Sequence, residues 1–218
     1  MKRTFDILVA AIGLVLFAPL FLLIALVIKL DSTGPVVFRQ KRIGRCFHPF
    51  EIYKFRTMVQ EAPRLGKPIT YGNDSRITGA GRLLRKAKLD ELPQLINVLK
   101  GDMSFVGPRP EVPQYVELFR RDYVEILTVR PGITDLASLK YRDEAALLGK
   151  AENPEEEYVR RVLPDKIQLA KDYLKHSSLF FDVAVILKTL FRIVRISNIS
   201  HRSRHTGIND PSSTAPMS

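Results

Sequence analysis

The feature that most constrains this chain is an uncharged apolar run near its N-terminus. The run covers residues 7–28, with Lys2 and Arg3 before it and Lys29 after it. Its 22 residues are long enough to cross a hydrocarbon core of roughly 30 Å. A cleaved signal peptide fits poorly, because the apolar region is too long and lacks a small-residue cleavage site. The run therefore predicts a segment that remains in a membrane.

Two topologies are open for this segment. Further basic residues follow it at Arg39, Lys41 and Arg42, and such flanks favour both ends on the cytoplasmic side. Pro19 lies near the middle, where it removes a backbone hydrogen bond and predicts a kink. A helix that bends and returns satisfies both flanks, and a proline-kinked spanning helix is the alternative.

The chain is strongly basic. It contains 34 Lys and Arg residues against 23 Asp and Glu residues, a formal net charge of +11. Such a surface can bind nucleic acid, anionic lipid or a phosphorylated substrate, and charge alone does not choose between them. The apolar segment favours the membrane. Cys46 is the only cysteine, so an internal disulfide is excluded, and the four histidines lack the spacing of a zinc site.

The residues behind the apolar run predict an α+β domain. Two β-rich runs at 36–40 and 50–56, separated by Gly44 and Pro49, indicate a small hairpin, and a polar loop follows at 59–75. The other predicted elements are a basic helix at 76–86, an amphipathic helix at 115–129, a turn at 130–134, a charged helix or helix pair at 152–176 interrupted by Pro164, and an apolar helix at 179–196. The last is interpreted as a core helix, with a position flat in the membrane interface as the alternative.

Two adjacent carboxylates, Asp90 and Glu91, lie among basic residues. Adjacent carboxylates repel each other, so both stay ionised only with cations nearby. The sequence offers Arg85, Lys86, Lys88 and Arg109. One carboxylate can then attack phosphorus while the other holds Mg²⁺ against diphosphate oxygens. Pro108 and Pro110 restrict the backbone around Arg109, whose guanidinium suits phosphate oxygens.

Each of these residues also has a purely structural interpretation. Asp90 can cap a helix at 91–100 that ends at Gly101, with Pro93 in its first turn. Arg109 can belong to a surface turn, and the basic run at 82–88 can be a solvated helix face. The occurrence of all three within about twenty-five residues beside a membrane segment favours phosphate chemistry at a bilayer surface.

Several motifs in the chain occur together in one family. They are Tyr-Lys-Phe-Arg-Thr-Met at 53–58, Asn-Asp-Ser-Arg-Ile-Thr at 73–78, Leu-Asp-Glu-Leu-Pro-Gln-Leu at 89–95, Asn-Val-Leu-Lys-Gly-Asp-Met-Ser at 97–104, Val-Gly-Pro-Arg-Pro at 106–110 and Pro-Gly-Ile-Thr at 131–134. In this order they closely resemble the bacterial sugar transferases, the monotopic polyprenyl-phosphate phosphoglycosyl transferases. The resemblance extends to about residue 194, and the chain looks like the minimal catalytic form.

The resemblance implies a two-step reaction. Asp90 would attack the phosphate next to the sugar of a UDP-sugar, release UMP and pass the phosphosugar to polyprenyl (undecaprenyl) phosphate. Glu91 would bind Mg²⁺, Arg85 would lie near the transferred phosphate, and Arg109 between Pro108 and Pro110 would contact the nucleotide. Lys54 and Arg56 match the basic strand motif of the family and are assigned to substrate binding.

The resemblance also implies a place in the cell. A re-entrant helix at 1–32 would enter the bacterial inner membrane from its cytoplasmic face and break at a proline. The domain at 33–196 would pack as one globular unit at the interface, ahead of a disordered tail at 197–218. Membrane lipid is an expected partner, nucleic acid is not, and a homodimer stays open. The family pathways build capsule, O-antigen, exopolysaccharide or glycoprotein glycans.

Two departures from the family pattern stand out. Ala18-Pro19 replaces a Ser-Pro pair at the expected helix break, and residues 135–144 replace a Gly-Leu-Trp-Gln-type segment. Non-catalytic alternatives are a membrane-tethered protein that binds nucleic acid or regulates, and a scaffold for glycan-assembly partners. Against the first, acidic residues interrupt the basic surface and no recognised nucleic-acid motif is present.

Overall fold

The apolar segment forms one long helix, α1, from Lys2 to Asp31. The computed structural model describes residues 1–65, 69–72 and 74–205. By length and composition α1 could cross a membrane, and most of its apolar side chains, Leu16 and Leu22 among them, are exposed. The helix is not interrupted at Pro19, since a proline removes a single hydrogen bond from a ladder that continues on both sides.

The N-terminal end of α1 is bound to the rest of the protein by charged side chains. The Lys2 ammonium donates to the backbone oxygen of Val106 at 2.9 Å and the hydroxyl of Tyr173 at 2.9 Å, and it also pairs with Asp182. The guanidinium of Arg3 donates to the carbonyl of Val98 at 2.7 Å. The basic residues before the apolar run are therefore held by protein groups.

The C-terminal end of α1 packs on the same body. Ile24 and Ile28 are buried against Phe55 and Leu84. The carboxylate of Asp31 accepts a hydrogen bond from the backbone N–H of Ala80 at 3.1 Å. Both ends of the helix thus contact one globular unit, although a straight spanning helix would carry its ends to opposite sides of a bilayer.

The rest of the described chain is α+β, as expected. Fourteen elements follow α1: β1 Val37–Ile43, β2 Pro49–Phe55, α2 Ala62–Leu65, α3 Gly79–Ala87, α4 Gln94–Lys100, β3 Ser104–Val106, α5 Pro113–Leu118, α6 Arg120–Ile126, β4 Gly132–Thr134, α7 Leu136–Lys140, α8 Glu144–Leu148, α9 Pro154–Glu157, α10 Leu163–His176 and α11 Leu179–His205. Short turns of 3₁₀ helix lie at Arg45–Phe47 and Leu89–Glu91, and a π-helical turn lies at Tyr158–Val162.

Two small sheets organise this domain. The predicted hairpin is confirmed and longer than expected, with β1 and β2 antiparallel and Val37 opposite Phe55. β3 and β4 form a short parallel pair. The turn predicted at 130–134 is therefore wrong, because Gly132 lies in β4. A Cβ on Gly132 would lie 2.1 Å from the backbone nitrogen of Gly107, so the glycine serves a close backbone approach that only the tertiary fold creates.

The predicted helices are present with different boundaries. The helix expected at 115–129 is divided into α5 and α6 at Phe119, where φ is −115° and ψ is 33°. Pro164 does not interrupt a helix but occupies the first turn of α10, where its missing N–H costs nothing. The helix expected at 91–100 begins only at Gln94, and it ends at Gly101 as predicted, with φ of 92°.

Helix α11 is a core helix, as predicted, on one face only. Val185 and Asp182 are buried within the domain, while Phe180, Leu187 and Phe191 are 88%, 60% and 69% exposed. One face is a core face and the other presents large apolar side chains. The helical backbone reaches His205, and thus enters the segment predicted as a tail. Residues 206–218 of that tail lie outside the described residues.

We expect Lys2→Met to loosen the N-terminal end of α1. The substitution removes the cation that pairs with Asp182, which is only 4% exposed, and a buried charge without its partner destabilises a fold by about 3 kcal/mol. The melting temperature in detergent should fall by roughly 5 to 10 °C. Lys29→Met, an exposed lysine at the other end of α1, is the matched control, and an equal fall in both variants would contradict this account.

Candidate active site

The two carboxylates lie on the 3₁₀ turn Leu89–Glu91 between α3 and α4. Helix α3 begins at a Thr78 cap, whose hydroxyl accepts from the N–H of Gly81. A Cβ on Gly81 would lie 2.1 Å from the carbonyl oxygen of Thr57, so α3 packs directly on the chain that leaves β2. Lys88 ends α3 in the left-handed region with φ of 58°, and this reversal turns Asp90 and Glu91 back towards β2.

Glu91 is held by two cations. Its Oε1 accepts a hydrogen bond from the ammonium of Lys54 at 2.8 Å and another from the guanidinium of Arg109 at 2.6 Å. Burial alone would raise the pKa of Glu91, but the charges of Arg109 and Lys54 outweigh it and hold that pKa well below its usual range. Glu91 is therefore an ionised, fixed group.

Asp90 is held differently from its neighbour. It is 8% exposed, and within the described residues its buried Oδ1 has no hydrogen-bond partner. Burial raises the pKa of Asp90, and the charge of Glu91 adds to the shift, against the cations Lys54, Lys88 and Arg85. The prediction that Asp90 caps a helix is wrong, because α4 begins after Pro93 and no side chain caps it. The carboxylate is left free to react.

Arg85 lies on the α3 side of the site. Its Nε donates to the hydroxyl of Thr57 at 2.8 Å, and its guanidinium also reaches the hydroxyl of Thr70 at 3.3 Å. Burial lowers the pKa of Arg85, while Asp90 acts in the opposite direction. Its charge therefore lies close enough to act on Asp90 without forming an ion pair to it.

Arg109 is fixed in place through its own backbone and its flanking prolines. Its N–H donates to the carboxylate of Asp135 at 3.3 Å. The carbonyl of Pro108 accepts from the N–H of Gly132 at 3.1 Å, and that of Pro110 accepts from the guanidinium of Arg42 at 3.0 Å. Glu91 raises the pKa of Arg109, so this cation is permanent.

Arg56 occupies a different place from the other predicted site residues. Its guanidinium donates to the carbonyl oxygens of Pro35 and Ser32, each at 2.6 Å, and to the Ser32 hydroxyl at 3.0 Å. These acceptors belong to the chain at the end of α1. The structure thus brings Lys54, Asp90, Glu91 and Arg109 together, whereas the guanidinium of Arg56, which also lines the cavity, is bound to the chain at the end of α1.

A single open cavity of about 1770 Å³ holds these groups together with residues that the sequence did not single out for the site. Arg42 pairs with the buried Glu111 at 3.5 Å, and the hydroxyl of Tyr158 donates to Glu111 at 2.6 Å. In the sequence, the only indication for Glu111 is its position directly after the Gly-Pro-Arg-Pro motif. Tyr158 comes from the distant π-helical turn, and no sequence motif indicates it.

The donor set suits one hard cation with bound phosphate. No group of three or more metal-ligating side chains is found among the described residues. Mg²⁺ is commonly held by one or two carboxylates, with water and substrate phosphate completing its shell. The ionised Glu91 meets that requirement, because Lys54 and Arg109 both donate to its Oε1 and not to its Oε2.

Comparison with known proteins identifies the family. The family model described as bacterial sugar transferase matches residues 1–196, nearly the whole chain. This chain belongs to that family. The family resemblance inferred from the motifs is therefore confirmed, and the match includes α1, the two carboxylates and the arginine between the prolines.

Three curated relatives are 37% to 41% identical to this chain over the aligned residues. The UDP-N-acetylgalactosamine-undecaprenyl-phosphate N-acetylgalactosaminephosphotransferase of Aeromonas hydrophila is 41% identical over 88% of this chain and 43% of its own length. The UDP-glucose:undecaprenyl-phosphate glucose-1-phosphate transferase of Caulobacter vibrioides is 39% identical over 90% and 71%. The exopolysaccharide production protein ExoY of Rhizobium meliloti is 37% identical over 87% and 83%. This chain thus spans less than half of the Aeromonas protein.

The different surroundings of the two carboxylates predict opposite effects on stability. The folded-state pKa of Asp90 is raised, so its ionisation destabilises the fold as pH rises through that pKa. Glu91 has a depressed pKa, so its contribution is present at neutral pH and is lost only as pH falls through its folded value.

At neutral pH we expect Asp90→Asn to raise the free energy of unfolding by roughly 1 kcal/mol. Glu91→Gln should lower it by about 3 kcal/mol, because Lys54 and Arg109 lose their shared partner. Denaturant unfolding in detergent measures both values. Changes of the same sign in the two variants would contradict the assignment of one free and one fixed carboxylate.

Proposed function

We propose that this chain is a phosphoglycosyl transferase that moves a sugar 1-phosphate from a UDP-sugar to polyprenyl phosphate and releases UMP. The observation that carries the proposal is the buried, unpaired Oδ1 of Asp90 in a cavity lined by Lys54, Arg85 and Arg109. A desolvated carboxylate among fixed cations is suited to attack an anionic phosphate. Two of the relatives described above are named as undecaprenyl-phosphate sugar phosphotransferases.

In the first step, an oxygen of Asp90 attacks the phosphorus next to the sugar. The bond from that phosphorus to the bridging oxygen breaks, UMP leaves with that oxygen, and the phosphosugar remains on Asp90 as an acyl phosphate. Negative charge grows on the leaving UMP and on the oxygens around phosphorus. Arg109 and Lys54, held by Glu91, are already positioned to stabilise it.

In the second step, a phosphate oxygen of polyprenyl phosphate attacks the same phosphorus. The bond to Asp90 breaks, the carboxylate is restored, and the product is a polyprenyl diphosphate sugar. Arg85, whose charge acts on Asp90, lies where it can stabilise the returning carboxylate. Because Asp90 serves in turn as nucleophile and leaving group, freedom from hydrogen bonds favours both steps.

We assign Mg²⁺ to Glu91, with Asp90 beside it. When bound, the ion would neutralise diphosphate oxygens of the donor. The transferred sugar is left open, because the relatives are named for N-acetylgalactosamine and for glucose at closely similar identity. The naming of a third relative for exopolysaccharide production supports a role in assembling a bacterial surface glycan.

We also propose a monotopic arrangement at the cytoplasmic face of the bacterial inner membrane. The exposed apolar side chains of α1 support insertion into lipid. The hydrogen bonds of Lys2 at one end and Asp31 at the other, both to the globular domain, support a helix that enters and leaves on one side. We therefore retain the re-entrant topology as a proposal.

The topology can be tested by labelling single cysteines. In a Cys46→Ser background, Thr4→Cys and Thr33→Cys place exposed thiols at the two ends of α1. Both should react with a membrane-impermeant maleimide in inside-out vesicles, and neither should react in intact spheroplasts. Labelling of the two thiols from opposite sides would establish a spanning helix.

The reaction can be tested by UMP release from a panel of UDP-sugars with Mg²⁺ and undecaprenyl phosphate. Asp90→Asn should lower turnover by at least about a thousandfold and abolish a covalent phosphosugar adduct on the native chain. Attack requires the ionised carboxylate of Asp90, whose pKa is raised. As the pH is lowered, activity should therefore fall at a pH above the pKa of an ordinary aspartate.

Asp172→Asn is the matched control for this substitution. Asp172 is a half-exposed carboxylate on α10 that binds Gln168 and Lys175, so turnover should be unchanged. Retention of full turnover by Asp90→Asn, with no adduct on the native chain, would exclude the mechanism.

A further inference from the structure

The cavity that contains the two carboxylates continues as an apolar groove between α1 and α11. Its apolar walls are formed by side chains from both helices together with one glycine: Phe5, Val9, Gly13, Phe17, Ile186 and Leu190. We call it the α1–α11 groove. The four α1 positions are spaced four residues apart, as are the two apolar positions on α11, so each set lies on one face of its helix. Thr189 and Arg192 of α11 also line the cavity.

The groove has the length and surface of a site for a hydrocarbon chain. Residues 5–17 span about 18 Å of helix at 1.5 Å per residue. Gly13 brings α1 close to α4, since a Cβ there would lie 3.3 Å from the side chain of Leu95, and Leu95 forms the floor. Phe17 and Leu190 are 38% and 53% exposed, so the groove opens onto the apolar surface of the two helices.

Another part of the same cavity is cationic. Lys54, Arg85 and Arg109 line it beside Asp90 and Glu91. A ligand that fills the cavity must therefore have a long apolar part and an anionic head. A nucleotide sugar is polar throughout and would leave its hydrogen-bonding groups unpaired against the apolar side chains of the groove.

We propose that the α1–α11 groove binds the isoprenoid chain of the acceptor lipid, with the acceptor phosphate at the cationic part of the cavity. This assignment rests on the proposed function and adds to it the path of the lipid. The chain enters sideways from the leaflet that surrounds α1, so its isoprene units never cross water. The helix that holds the protein in the membrane also forms one wall of the acceptor site.

Substitutions that narrow the groove test the assignment. Ile186→Trp fills it from α11, and Leu187→Trp places the same side chain on the neighbouring residue, which is 60% exposed and does not line the cavity. We expect Ile186→Trp to raise the KM for undecaprenyl phosphate about tenfold, the equivalent of roughly 1.4 kcal/mol of lost binding. The control should leave that KM unchanged.

Two further comparisons locate the effect. A burst of UMP without acceptor reports the first step alone. Ile186→Trp should therefore keep the burst of the native chain and lose activity only in the second step. An acceptor with two isoprene units leaves most of the groove empty, so the ratio between the KM values of the variant and the native chain should shrink with it. An unchanged KM for undecaprenyl phosphate, or an equal rise in Leu187→Trp, would overturn the groove assignment. A native chain that gives no burst with any UDP-sugar would overturn the proposed function itself.

Photo-crosslinking of the native chain gives a test that needs no substitution. A polyprenyl phosphate with a diazirine in its third or fourth isoprene unit should label peptides that contain Val9, Gly13 or Ile186, and excess undecaprenyl phosphate should compete. Labels confined to residues 22–30, where α1 presents exposed leucines away from the groove, would exclude it. Competition by phospholipid equal to that by undecaprenyl phosphate would also count against the assignment, because it would make the groove a general lipid site.

Discussion

The ionised Glu91 holds together three segments that are distant in the sequence. Lys54 comes from β2, Glu91 from the turn after α3, and Arg109 from the loop after β3, and one carboxylate oxygen accepts from both cations. Removing three charged groups from water costs several kcal/mol for each ion. The attraction between the carboxylate and the two cations offsets that cost only while all three groups are present. The site therefore forms as a unit, and its cations are already in place before a phosphate arrives.

The same cluster explains how adjacent carboxylates can differ. Both lie in one low-dielectric environment, but the hydrogen bonds of Lys54 and Arg109 are made to Glu91 alone. Burial and the charge of Glu91 both disfavour the ionised form of Asp90, and among the described residues no hydrogen bond to its Oδ1 compensates for them. Such a free carboxylate lowers stability and raises reactivity, which is the exchange that the proposed covalent role of Asp90 requires.

The sequence predicted which residues lie together at the site better than it predicted the contacts that support them. The hairpin and the ending of α4 at Gly101 follow from short-range rules for glycine and alternation, and these predictions hold. Gly132 was assigned to a turn because nothing local shows that β3 will lie beside it. The ion pair of Lys2 with Asp182 joins residues 180 positions apart, and the contact of Tyr158 with Glu111 is likewise long-range. Such contacts leave no local pattern.

One face of β2 connects α1 to the two carboxylates. Residues two apart in a strand lie on the same side. Lys54 and Arg56 therefore extend from one face, but they bind different parts of the protein. Lys54 binds Glu91, whereas Arg56, whose N–H continues the ladder to Val36, binds the carbonyls that follow α1. A shift of α1 would therefore move Arg56 and, through two residues of strand, Lys54. Since α1 also lines the cavity that contains Asp90, the position of α1 and the geometry of the site depend on the same part of the fold.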